Sequence, residues 1–342
     1  MTSPQPIRIL VMADTHGTNP MHRQLGPVDL VIHCGDLIHC GDLTQESKLD
    51  EYKQAISLLK SLDAPLKLVI AGNHDFTLDT PVYQQKLTEA GLQSPYEDEL
   101  VRKTYGDFGE ARALLDFQRN AGILFLDEGT HEISLANGAL LKVYASPYTP
   151  SKSGDWGFNY DPTEKHDWQI GRDIDIAITH GPPNGILDRT HENKRAGCPE
   201  LFAAIAIARP LMHCFGHIHE SWGAKQITWR GTKASETPSH FTDIDDDNSE
   251  LIESLAILRP GKFDSADDKT TKQQKLLELG KNGYCETTPE LRKGMQTLFV
   301  NAAVEGGFAE TQRLPWLVEL DLPRKMENPG VGSDNTASLS PH

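Results

Sequence analysis

Short apolar runs rich in β-branched residues recur along this chain, and most of them end close to an imidazole, a carboxylate or a carboxamide. "IRILVMA" (7–13), "DLVIH" (29–33), "LKLVIA" (66–71), "GILFL" (122–126), "LLKVYAS" (140–146), "IDIAITH" (174–180) and "LMHCFGH" (211–217) each read as a buried strand. Between several of them lie helical patterns such as "KLDEYKQAISLLKSL" (48–62) and "CPELFAAIAIA" (198–208). Strand and helix in alternation imply an α/β sheet with helices outside it. Chemistry then belongs in the loops beyond the carboxyl ends of the strands.

With 342 residues the chain can bury a sizeable core without requiring two domains. The expectation is one domain over 5–323 with a charged insertion at about 232–294 and a polar tail over 324–342. The insertion, with "DIDDDNSE" and "SADDKTTKQQKLLELGKNG", offers too few apolar residues for a core of its own and reads as partly disordered surface. Strands resume with "TLFVNAA" (297–303) and "PWLVELDL" (315–322). The five cysteines, Cys34, Cys40, Cys198, Cys214 and Cys285, sit mostly in apolar runs and read as reduced thiols of a cytoplasmic protein. "MTSPQPIRILVMAD" lacks the apolar core of a secretory signal, and no stretch approaches the ~18 uncharged residues of a membrane span. A formal charge of −16 opposes a nucleic-acid duplex or an anionic membrane as partner.

Metal-ligand chemistry gathers at the strand ends: Asp14 and His16 in "ADTHG", Asp36 in "HCGD", Asn73 and His74 in "AGNHD", His180 in "THGPP", and His217 with His219 in "GHIHE". Residues two apart can leave a strand-end turn and converge on ions nearby. Mixed nitrogen and oxygen donors suit Mn, Fe, Zn or Co better than calcium. Each piece alone is weak, since an isolated Asp-x-His is usually a polar surface and Asn-His after a strand is usually a turn. Their conjunction, in order and each after an apolar run, is the signal.

This order, Asp-x-His, Gly-Asp, Gly-Asn-His-Asp, His, Gly-His-x-His, resembles the calcineurin-like metallophosphoesterase superfamily. "HGPPNGILD", "RAGCPEL" and "FGHIHESWG", with "SPYTP" and "GDWGFNY" upstream, resemble in particular the metallophosphodiesterase-domain proteins known from brain and their fungal relatives. The resemblance implies a β-sandwich of two sheets flanked by helices, with two divalent ions at the sheet edge. One ion would take Asp14, His16 and His219, the other Asn73, His180 and His217, and one aspartate would bridge both. Mn is favoured among Mn, Fe, Zn and Mg, because imidazole-rich sites prefer transition ions.

"HCGDL" occurs twice, so both Asp36 and Asp42 compete for the bridge. Asp36 follows the strand within three residues and is the expected bridge, while Asp42 would orient His74 from further out or serve only the loop. Two ions sharing a carboxylate lower the pKa of a bridging water and offset charge on a phosphoryl group, so the expected reaction is hydroxide attack on a phosphoester. The substrate class is a small phosphodiester such as a cyclic nucleotide. His74 is placed to protonate the leaving alkoxide. Asp75 is its orienter or a turn carboxylate. Arg195, just before a helix start, holds a phosphate or ribose group or is simply exposed. Trp156, Phe158 and Tyr160 stack a base or pack the sandwich. His33, His39, His191 and His213 match no motif position and read as structural. The rival functions are a binding scaffold that lost the chemistry and a protein phosphatase, whereas a duplex nuclease sits badly with the acidic balance.

Overall fold

The side chains of the first strand, β1 (Gln5–Met12), divide between two cores in alternation. Ile7, Ile9 and Val11 point to a core between two sheets, and Leu10 and Met12 to one between a sheet and its helices. The computed structural model describes residues 5–16, 19–20, 25–37, 40–41, 44–45, 47–304 and 313–322. His39, Asp42 and the expected tail at 324–342 lie outside the described residues.

After β1 come β2 (Leu30–Cys34), the two-residue pair β3 (Cys40–Gly41) and β4 (Thr44–Gln45), α1 (Leu49–Ser61) and β5 (Leu66–Ile70). Then follow α2 (Thr80–Glu89), α3 (Glu99–Tyr105), α4 (Glu110–Asp116), β6 (Ile123–Phe125), β7 (Gly129–Ser134) and β8 (Leu140–Ser146). The short β9 (Thr149–Pro150) and β10 (Asn159–Tyr160) pair with each other before β11 (Ile176–Thr179), α5 (Pro199–Ala208), β12 (Met212–Phe215) and β13 (Gly223–Trp229). The rest is α6 (His240–Asp243), β14 (Ile244–Ser254), α7 (Leu255–Leu258), α8 (Ala266–Asn282), β15 (Cys285–Thr287), β16 (Gln296–Asn301) and β17 (Trp316–Leu322).

A six-stranded sheet runs β15-β17-β1-β2-β5-β6 and a seven-stranded sheet β14-β13-β16-β12-β11-β8-β7. Between them lie Ile32 and Cys34 of β2, Ile70 of β5, Ile176 and Ile178 of β11, Cys214 of β12 and Val300 of β16. Outside the first sheet α1 buries Tyr52, Ile56 and Leu59, and outside the second α5 buries Leu201, Phe202 and Ile205. The result is the expected α/β fold, a two-sheet sandwich flanked by helices. At one edge the sheets meet: Ala13, just past β1, donates to the carbonyl of Ala302, just past β16, at 2.9 Å, and Val304 donates back to Ala13 at 3.0 Å.

The segment 232–294, read from the sequence as a partly disordered surface excursion, adds a strand to each sheet and lends residues to the shared cores. β14 pairs antiparallel with β13 at the border of the larger sheet, and β15 pairs parallel with β17 at the border of the smaller one. Ile244, Leu255, Leu258 and Cys285 are buried, and Lys275 of α8 reaches the buried Glu253 of β14 at 2.5 Å. The charge pattern hid the strand because β14 is a border strand with two register shifts, which break the period-two signal.

Candidate metal centre

Parallel strands of both sheets deliver their carboxyl ends to the edge where the sheets meet. β1 supplies Asp14 and His16, β2 Asp36, β5 Asn73 and His74, β11 His180, and β12 His217 and His219. Asp14, His16, Asp36 and His217 all have φ between 47° and 69°, the left-handed region that non-glycine residues avoid. Such strain costs of order 1–3 kcal/mol per residue and persists where the surroundings over-determine it, typically at functional sites.

Two groups of ligand atoms lie within 4.8 Å of one another: Asp14 with His16 and His219, and Asp14 with Asp36 and His180. His219 Nε2 is 3.3 Å from Asp14 Oδ1, and His180 Nε2 is 3.3 Å from Asp36 Oδ2 and 2.9 Å from Asn73 Oδ1. The backbone N–H of His217 donates to both Asp14 oxygens, at 3.1 and 3.0 Å, and its ring meets that of His180 edge to face at 5.0 Å. All seven ligand positions expected from the sequence therefore gather at one edge.

His180 shows that this donor set fits a cation. Its Nδ1 donates to the carbonyl of Cys34 at 2.9 Å, a bond that fixes the tautomer and leaves the Nε2 lone pair facing the Asp36 and Asn73 oxygens. Electron-rich atoms packed this closely in a buried place call for positive charge among them. Burial pulls the His180 imidazole down, but the Asp36 and Asp14 carboxylates and the Cys34 carbonyl outweigh it and raise it to about 9. Burial likewise raises Asp36, and the His180 and His74 imidazoles reverse the sign and hold its carboxyl well below the usual range.

Two glycines of the motifs are set by close approach. A Cβ on Gly72 would collide with the Asp36 carboxylate and backbone, and one on Gly216 with the Asp14 carboxylate and the Ala13 methyl. In "GN" and "GH" the second residue is the candidate ligand and the first gives clearance for the carboxylate of another strand.

His74 has its backbone N–H on Asp36 Oδ1 at 3.0 Å and its Nε2 4.0 Å from Asp36 Oδ2. The tilted Trp156 ring lies 4.4 Å from it, centroid to centroid. Asp75 does not orient it. Its Oδ2 accepts the backbone N–H groups of Gly72 at 2.8 Å and Leu37 at 3.4 Å, the contacts of a turn carboxylate. Burial, with Asp36 nearby, raises the Asp75 carboxyl to about 7. Arg195 pairs with Asp188, at 3.8 Å, and its side chain is 46% exposed. Phe158 and Tyr160 pack around Tyr148, His166 and Trp168.

Three supporting residues escaped the sequence reading or were set aside as structural. His33 and His213 are buried, with Nε2 against Thr15 Oγ1 at 2.9 Å and Thr179 Oγ1 at 2.8 Å, the threonines that adjoin Asp14, His16 and His180. Asn301 donates to the carbonyls of Ile218 at 3.0 Å and Leu187 at 3.1 Å, pinning the turn between His217 and His219. Its signal was a carboxamide closing the apolar run "TLFVN".

The family profile of the calcineurin-like phosphoesterases matches residues 7–221, from β1 through the last of these histidines. The chain belongs to that family. A probable rhamnogalacturonate lyase C of Emericella nidulans is 33% identical over 231 residues, 67% of this chain but 18% of that protein. Metallophosphoesterase domain-containing protein 1 of Homo sapiens is 32% identical over 222 residues, 63% of this chain and 61% of that protein. A UPF0046 protein of Caenorhabditis elegans is 28% identical over 224 residues, 64% of this chain and 53% of that protein. The chain thus spans less than two thirds of each relative's length. No helix among the described residues of this phosphoesterase-family chain is long and apolar enough to cross a membrane.

Proposed function

We propose that this chain hydrolyses a small-molecule phosphoester, specifically a phosphodiester such as a cyclic nucleotide, with two divalent ions as cofactors. Asp14, His16 and His219 would hold one ion, Asn73, His180 and His217 the other, and Asp36 both. The observation that carries this reading is the convergence at His180, where a fixed tautomer aims a lone pair at two oxygens in a buried place. When bound, the ions supply Lewis acidity and lower the pKa of a water. Mn²⁺ is favoured by the imidazole count.

The chain's own residues divide the remaining work. Asp14 and Asp36 concentrate negative charge that balances the cations, and the strained turns around them fix the donor directions before any ligand arrives. His74, partly open with its side chain 18% exposed, is the group that gives a proton to the leaving oxygen. Arg195, across the Asp188 loop, would meet a distal anionic group of the substrate. Buried free thiols at Cys34, Cys198, Cys214 and Cys285 suit the cytoplasm, and the −16 charge suits a small substrate better than a duplex.

The test is metal analysis of the purified chain, then a panel of phosphomonoesters, diesters and cyclic nucleotides with Mn²⁺, Zn²⁺ or Mg²⁺ added back after chelation. Metal-dependent turnover of a diester, greatest with Mn²⁺, is expected. Full turnover after exhaustive chelation, with the ions verified absent, would overturn the reading.

A further inference from the structure

Among the described residues no hydrogen bond fixes the ring of His74. Its Nδ1 is buried with no hydrogen-bond partner among the described residues, its Nε2 stands 4.0 Å from Asp36 Oδ2, and the neighbouring Asp75 turns its Oδ2 to backbone N–H groups while its Oδ1 makes no hydrogen bond among the described residues, to this ring included. An imidazole that must deliver a proton along one direction needs something else to stop its rotation.

That something is built against it. The loop carrying Trp156 is fastened to the turn that carries His74: Gly157 N–H donates to the Asn73 carbonyl at 2.9 Å, and Phe158 N–H to Asp79 Oδ2 at 2.7 Å. A Cβ on Gly157 would stand 2.9 Å from Phe76 Cα, so the glycine is what lets this loop lie so close. Phe158 turns the chain with φ at 51°. The other Asp79 oxygen accepts from Val82 N–H in the first turn of α2, and that helix brings Lys86 Nζ to 5.3 Å from the Trp156 centroid and 4.9 Å from that of Phe76.

We propose that Trp156 is the positioning residue for His74, holding the imidazole by ring packing where a hydrogen-bonded carboxylate would otherwise do so, with Lys86 steadying the indole. The inference rests on the proposed role of His74 as proton donor. Ring packing sets the orientation of the imidazole, while its Nε2 edge stays clear for the leaving group.

Two measurements test it. In the metal-free chain, diethyl pyrocarbonate should acylate His74, located by peptide mapping, several-fold faster in Trp156→Ala than in the wild type. Trp156→Phe should restore the slow rate. In the metal-loaded chain, Trp156→Ala should lose about tenfold in kcat for an alkyl phosphodiester and much less for a nitrophenyl one, with metal content unchanged and Trp156→Phe recovering most of the loss. Unchanged acylation of His74 in Trp156→Ala overturns the proposal, as does an equal loss for both leaving groups. His74→Ala run alongside separates the two ideas. If its own loss ignores the leaving group, the donor role falls, while the acylation rates still decide whether Trp156 holds the ring.

Discussion

His180 donates its Nδ1 proton to the Cys34 carbonyl across the two sheets at 2.9 Å, so one bond couples the second strand to the eleventh and aims Nε2 at the site. His180→Ala should therefore lose the ion assigned to Asn73, His180 and His217 and keep the other. His180→Gln, with a carboxamide of similar reach, should recover part of it. Metal analysis by mass spectrometry after gel filtration reads the stoichiometry, and an unchanged content in His180→Ala would remove this residue from the ligand set.

His74→Ala should keep both ions and lose roughly 10² to 10⁴ in rate on an alkyl diester, the usual contribution of a general acid. The loss should shrink with nitrophenolate, which leaves without a proton. Equal losses for the two substrates would assign His74 to binding.

The close approach at Gly216 gives a test of geometry without touching a ligand. Gly216→Ala puts a methyl against the Asp14 carboxylate and Ala13. Overpacking of this kind costs about 1–3 kcal/mol, so the melting temperature should fall and metal content with it. Gly26→Ala, where a methyl meets nothing within 4 Å, is the control and should change neither. A Gly216→Ala chain that melts and binds metal like the wild type would mean the site relaxes without cost.

Most of this architecture was legible in the sequence because buried parallel strands are nearly continuous apolar runs, and each such run here was found. The candidate ligands were legible because they stop those runs. What stayed hidden has physical reasons. β14 is a border strand with polar side chains and two register shifts, so neither hydropathy nor period betrayed it. β13 alternates buried Ala224, Ile227 and Trp229 with polar residues too irregularly to stand out. The contact of Trp156 with His74 joins residues far apart in sequence through a loop whose course depends on Asp79, and no local pattern encodes that.

Acid should weaken the fold through His213. Burial pushes its imidazole down to about 3, so it is neutral when folded, whereas the unfolded chain takes up that proton near 6.5. The stability tied to this group is fully present above pH ~6.5 and is lost as the pH falls toward 3, at up to about 1.4 kcal/mol per pH unit. Urea midpoints between pH 7 and pH 4.5 should show His213→Asn, which can still meet Thr179 Oγ1, losing less with acid than the wild type does. Parallel curves for the two proteins would refute a buried neutral histidine.

The last prediction concerns which carboxylate serves both ions. Asp14 belongs to both close groups of donors, yet its contacts are mainly with His219 and with the His217 backbone. Asp36 has one oxygen toward the His74 backbone and the other toward His180, and its charge also acts on His16, across the site from Asn73. A shared ligand strips both ions when lost and leaves two cations facing each other less shielded. Asp36→Asn should therefore bring metal content to less than one ion per chain. Asp14→Asn should retain the ion of Asn73, His180 and His217, and Asp42→Asn, outside the described residues, should keep both. Mass-spectrometric stoichiometry on the three variants ranks them. If Asp14→Asn empties the site while Asp36→Asn keeps one ion, the shared carboxylate is Asp14, and if Asp42→Asn empties it, the second "HCGDL" supplies the bridge.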